Sequence, residues 1–198
     1  MGTITRSFAN LITASGPSAV ADGTIVNADI NASAGIDASK LSGALGITEA
    51  DQWRLTTDNT YSVAADITTN WERNDTDFSL IGTGMTESSG VFTFPSTGIY
   101  LVTMNSTGEC DAVSHYIQIS ILATTDNSNY NVRNLVYQYA TDAGRYMGWY
   151  GNIIFDVTST ANCKVKFRMG QIQNGTVLLQ GNTDNNRTYA TFIRLGDT

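Results

Sequence analysis

The sequence predicts an all-β domain, a sandwich or barrel, and three observations carry that expectation. In Gly90 to Thr103, GVFTFPSTGIYLVT, Phe92 and Phe94 alternate with Val91 and Thr93, Pro95 removes a ladder donor, and Ser96-Thr97-Gly98 supplies turn chemistry before a second strand. From about residue 60 onward, strand-like runs recur at short intervals between turn clusters. The segment CKVKFRM alternates without a break, with Cys163, Val165, Phe167 and Met169 on one face and Lys164, Lys166 and Arg168 on the other, as a half-exposed strand requires.

In chain order, residues 1–50 differ in kind from the rest: they are rich in Ala, Ser, Gly and Asp, with Phe8 as the only aromatic. Ile25, Ile36 and Ile47 lie eleven apart, as do Ile30 and Leu41, a weak internal repeat. An eleven-residue period suits a right-handed coiled coil, but the Gly, Asn and Ser content disfavours a continuous helix. The expectation is an extended docking arm over 1–50, ordered against neighbours through Ile25, Ile30, Ile36, Leu41 and Ile47, followed by a β domain over 51–198. Thr48-Glu-Ala-Asp51 has the spacing of a capped helical turn leading to Trp53. Asp-Asn-Thr near 58 and Asn-Asp-Thr-Asp near 74 read as loops.

In Ile99-Tyr100-Leu101-Val102-Thr103-Met104 nearly every residue is bulky or β-branched, so either face left in water costs about 25 cal/mol per Å² of apolar surface. One face needs the core and the other needs a partner. Further on, Ile117, Ile119 and Ile121 share a face, TTDNSNYN breaks the pattern, and Leu135, Tyr137 and Tyr139 alternate. TDAGR then turns the chain into YMGWYGNIIFDV, where Trp149, Gly151, Ile153 and Phe155 share a face, and RTYATFIRLGDT is a last strand.

The chain has 198 residues, 41% of them hydrophobic, and its net charge of −7 comes with only 15% charged residues. Its lysines are Lys40, Lys164 and Lys166, too few and too scattered for a phosphate-binding surface, so nucleic acid is not an expected partner. No apolar run approaches the roughly 20 residues that cross a bilayer, and MGTITRSFANLITASG lacks the apolar core of a secretory signal. Cys110 and Cys163 are open to two readings, a cross-strand pair or free buried thiols. His115 has Ser114 on the opposite strand face, which argues against a nucleophile–base pair, and zinc lacks ligands. Gly82-Thr-Gly84 reads as a turn. Asp75 with Asp77 suggests a calcium ligand set or a glycosidase carboxylate, but the spacing supports neither. The expectation is therefore no enzyme activity, no metal and no cofactor.

Three motifs carry a resemblance: Phe92-Thr-Phe-Pro-Ser-Thr-Gly98-Ile-Tyr100, Gly151-Asn-Ile-Ile-Phe-Asp-Val, and Tyr189-Ala-Thr-Phe192-Ile-Arg-Leu195. Residues from about 60 to 198 resemble the trimeric jelly roll shared by the tumour-necrosis-factor superfamily and the globular head of complement component one-q. The chain departs from that pattern at Thr191, where the family usually has Gly, and at Ala161-Asn162, where it commonly has Gly-Asp. The resemblance implies an antiparallel two-sheet jelly roll forming a homotrimer. It also implies axis contacts at Leu101, Thr103, Trp149, Gly151, Ile153 and Tyr189.

GTIVNADINASAGIDASKLSG and ITEADQWRLT resemble segments of structural proteins of tailed bacteriophages, particularly those of marine bacteria and cyanobacteria. The resemblance implies a virion structural protein on the capsid surface or tail, synthesised in the host cytoplasm. As a decoration, cement or short head-fibre protein, it would dock by its arm on capsid or tail proteins. The rival reading is a receptor-binding tip of a tail fibre, whose loops TTDNSNYN and QGNTDNNRT contact host-surface saccharide through ring faces and amides. A secreted complement-like ligand domain is a third class.

Overall fold

The computed structural model describes residues Gly46–Thr198, a compact unit. The expected arm contacts Ile25, Ile30, Ile36 and Leu41 lie outside the described residues, while Ile47 is within them and half exposed. The strands are β1 (Ala50–Leu55), β2 (Asn59–Tyr61), β3 (Ala65–Asp66), β4 (Trp71–Arg73), β5 (Thr86–Ser88), β6 (Val91–Thr93), β7 (Gly98–Cys110), β8 (Ser114–Thr124), β9 (Asn131–Ala140), β10 (Arg145–Val157), β11 (Lys164–Ile172), β12 (Val177–Leu179) and β13 (Tyr189–Gly196). A seven-stranded sheet runs β2-β12-β7-β13-β1-β4, with β10 on the other edge of β7. A six-stranded sheet runs β5-β6-β11-β8-β9, with β3 also on β11. All pairings are antiparallel.

The two-residue period decides what is buried. Along β7, Tyr100, Val102 and Met104 are buried while Ile99, Leu101 and Thr103 are only half-buried, and along β11 the inward residues Val165, Phe167 and Met169 are fully buried. Ile117, Ile119 and Ile121 of β8 complete the opposing face. Phe92 is the centre of this core: its ring lies 5.7 Å from Trp53, 5.2 Å from Trp71, 5.5 Å from Phe167 and 5.2 Å from Phe192, joining both sheets. The turn into β7 depends on Gly98, whose φ of 142° disfavours any side chain and whose added Cβ would meet the Gly196 carbonyl oxygen at 2.6 Å.

One expectation changes here, and one open reading is decided. Residues 48–51 form no helical turn; β1 starts at Ala50. The carboxylates that suggested a cap are used across the fold instead: Glu49 accepts from the backbone N–H groups of Thr83 (2.8 Å) and Gly84 (2.9 Å), and Asp51 accepts from the Trp53 indole (2.9 Å) and Met85 N–H (2.7 Å). Those bonds define the Gly82–Gly84 turn, where both glycines have positive φ. Of the two readings for the cysteines, the structure shows free thiols, with Cys110 and Cys163 both buried.

The short strand β3 is tied to β11 by Asp66, which accepts from Lys166 at 2.7 Å and Arg168 at 2.5 Å. Burial works to raise the Asp66 pKa, but the hydrogen bonds and positive charges of Arg168 and Lys166 outweigh it and hold the carboxyl below its usual 3.8. A depressed pKa contributes stability above the unfolded value and loses it as pH falls through the folded one. Asp66→Asn is therefore expected to cost about 1 kcal/mol at neutral pH, and the difference from wild type should vanish in urea titrations run below the ordinary carboxylate range.

Candidate functional site

The outer face of the seven-stranded sheet is built from rows that cross it at right angles to the strands, because residues directly opposite in antiparallel pairs share a face. One row is apolar: Ala50, Ile193, Leu101 and Ile154 lie side by side on β1, β13, β7 and β10. The next is polar, with Gln52, Thr191, Thr103 and Asn152. A third carries Arg54, Tyr189, Asn105 and Tyr150.

The β1 end of this face is closed by the chain itself. Arg54, 1% exposed, donates to Glu72 (2.8 Å), Asn74 (2.9 Å) and Asp75 (2.7 Å). Gln52 accepts from the side chains of Asn74 and Asn186 and donates to Thr191. Asp75, a candidate calcium ligand in the sequence, is thus committed to an ion pair, and among the described residues no group of three or more His, Cys, Asp or Glu is placed to hold a metal.

The β10 end is bare. Tyr146, Tyr150 and Ile154 are 65%, 57% and 69% exposed on one strand, beside half-buried Leu101, Ile193 and Tyr189. Round the β10 edge, β9 turns Leu135, Tyr137 and Tyr139 outward, with Tyr116 of β8 beside them. Its inward residues reach over to β10: Gln138 Nε2 donates to the Gly148 carbonyl at 2.8 Å, and a Cβ on Gly151 would strike Asn134 Oδ1 at 2.4 Å.

The six residues expected as axis contacts divide between the two faces of this sheet, three of them on its outer face. Leu101, Thr103 and Tyr189 do lie on it, but Trp149, Gly151 and Ile153 face the sandwich interior. They oppose Ser106, Met104 and Val102 of β7, all inward, and the Trp149 indole donates to the Ile117 carbonyl of the other sheet at 3.2 Å. A shift of one residue on a strand exchanges its two faces, so Tyr150, Asn152 and Ile154 take the outer positions. The missed signal was polar: Asn152 and Asp156 alternate in step with Tyr150 and Ile154, and a carboxylate marks the wet side.

Of the loops expected to contact saccharide, TTDNSNYN is exposed but internally bonded around Asp126. Asp126 accepts from the Asn129 side chain (2.7 Å) and from the N–H groups of Asn129 and Ser128, which hold its carboxyl well below the usual range. Tyr130 lies under the Lys166 ammonium, 4.2 Å from its ring. His115 is exposed and Ser114 buried, on opposite faces of β8.

No family model matches the chain, and no curated protein matches its sequence. Solved structures do match in shape. Eiger TNF from S. frugiperda superposes with a TM-score of 0.59 at 11% identity, covering 75% of this chain and 93% of its own. The fold is a TNF-like jelly roll. Murine APRIL agrees, with a TM-score of 0.55 at 12% identity over 74% of this chain and 98% of its own. At such identities the likeness establishes the architecture of the TNF-like jelly roll and leaves its function to the surface chemistry.

Proposed function

We propose that the chain is a structural protein of a bacteriophage virion, a capsid decoration, cement or short head-fibre protein whose TNF-like head forms a homotrimer and whose residues 1–50 dock it on the particle. The observation that carries the trimer is the bare apolar end of the outer face, Tyr146, Tyr150 and Ile154 beside Leu101 and Ile193, next to a second apolar surface on β9. Two different surfaces on one subunit suit a head-to-tail contact, which closes as a ring of three when each copy is turned by a third of a circle. The docking role rests on the phage-like segments 23–43 and 47–56 and the eleven-residue isoleucine spacing. Purified protein is expected to bind stripped capsids, and a form lacking residues 1–45, which leaves Glu49 and Ala50 in place in the head, to lose that binding while keeping its oligomeric state. Equal binding by both forms contradicts the docking role.

A receptor-binding tip is the second reading, favoured by a different observation. Tyr116 and Tyr137 pack edge to face at 6.5 Å on the outer side of the β8–β9 hairpin, with the Tyr137 hydroxyl 3.5 Å from Gln171 Oε1 and Tyr139 exposed beside them. Exposed rings flanked by amides suit uncharged saccharide. Under this reading purified protein blocks phage adsorption, and Tyr137→Ala removes the block.

A further inference from the structure

We propose that Asn174–Gly175 is a self-modification site, at which the asparagine converts spontaneously to aspartate and isoaspartate and loosens the end of the sandwich that carries it. It is the only Asn-Gly pair in the sequence. Both residues lie in the bend between β11 and β12, outside any ladder, and Asn174 is exposed. Gly175 has φ 76°, and its backbone N–H has no hydrogen-bond partner among the described residues. With no side chain on the following residue, no Cβ stands between that nitrogen and the asparagine side chain, and the one side-chain hydrogen bond to be released is that of Asn174 Nδ2 to the Val113 carbonyl. Other exposed asparagines lack this arrangement: Asn127 is followed by Ser128, Asn131 by Val132 and Asn185 by Asn186.

The step balances with water as the only co-reactant. The Gly175 nitrogen attacks Asn174 Cγ, the new N–C bond forms, and the bond to Nδ2 breaks. Ammonia leaves, carrying away the proton the glycine nitrogen has lost. Water then opens the cyclic imide at either carbonyl, giving aspartate from one opening and isoaspartate, with a methylene added to the main chain, from the other.

The surroundings give the change a structural consequence. Asn174 Nδ2 donates to the Val113 carbonyl at 3.2 Å, its backbone N–H points to Ser114 Oγ at 3.4 Å, and the Cys110 thiol points to its carbonyl at 3.5 Å. Conversion to acid replaces the donor with an oxygen facing another oxygen, beside the carboxylate of Asp111, which accepts from Thr176 N–H at 2.6 Å. Asp111 and Thr176 line a cavity of about 540 Å³ with Thr60, Glu109, Gly144 and Leu178. Isoaspartate lengthens the chain at the point where Asp111 and Thr176 clamp it, so the cavity wall moves.

The test is peptide mapping by mass spectrometry of the full-length folded protein after incubation in mildly alkaline buffer, with separation of aspartate from isoaspartate. The expected result is loss of the amide at Asn174 at least severalfold faster than at any other asparagine, with both isomers formed, and no conversion at that position in Asn174→Gln, whose circular-dichroism melt stays close to wild type. An intact Asn174 peptide after Asn127 or Asn185 has converted, or aspartate without isoaspartate, overturns the proposal.

Discussion

Ile154→Asp is expected to turn the proposed trimer into monomers while leaving each monomer folded. Ile154 is 69% exposed and lies in the apolar row with Leu101 and Ile193, so the substitution removes no core contact. Surface replacements of this kind change the stability of a single subunit within about ±0.5 kcal/mol. In an assembly the same carboxylate is buried against a neighbour without a partner, a cost of several kcal/mol per site. Because a trimer repeats the site three times, dissociation should be complete at concentrations where wild type stays associated. Sedimentation velocity gives the mass and circular dichroism the fold. A variant that keeps the wild-type mass removes Ile154 from the interface.

Trp149→Ala is expected to do the opposite, destabilising the subunit itself by about 3–5 kcal/mol. Trp149 is 2% exposed, opposes Ser106 in the ladder, and places its indole N–H on the Ile117 carbonyl of the other sheet. The loss removes a large ring from a close-packed interior and strands that carbonyl. Against the roughly 5–15 kcal/mol that holds a domain together, the variant should melt far earlier in denaturant at every protein concentration. A Trp149→Ala protein that unfolds like wild type but no longer associates would restore this residue to the subunit interface.

These two substitutions separate what the sequence makes visible from what it hides. Where one face of a strand is polar, its inward residues can be read directly, and Cys163, Val165, Phe167 and Met169 against Lys164, Lys166 and Arg168 are the clearest case. The Phe92–Gly98 hairpin is equally legible, because Pro95 and Gly98 each restrict the backbone in a way few other residues tolerate. Strand β10 is harder, since Trp149, Ile153 and Phe155 on one face face competition from Tyr146, Tyr150 and Ile154 on the other. Alternation then fixes the two sets but not which is inside; pairing with Tyr100, Val102 and Met104 decides it. Residues 48–51 mislead for a related reason: Glu49 and Asp51 have the chemistry of a helix cap, but their partners, Thr83, Gly84 and Met85, lie more than thirty residues away. The closure of the outer face by Arg54 and Gln52 likewise depends on contacts with residues 72–76 and 186, which no local pattern announces.

The most direct measurement is the solution mass of the wild-type chain by multi-angle light scattering across a dilution series. A single chain is 21.3 kDa. The apolar row of exposed Ile154 with half-buried Leu101 and Ile193, in the proposed trimer, predicts a species of three chains that dissociates only at low concentration. A species of one chain throughout the series, with Ile154→Asp indistinguishable from it, would contradict the account.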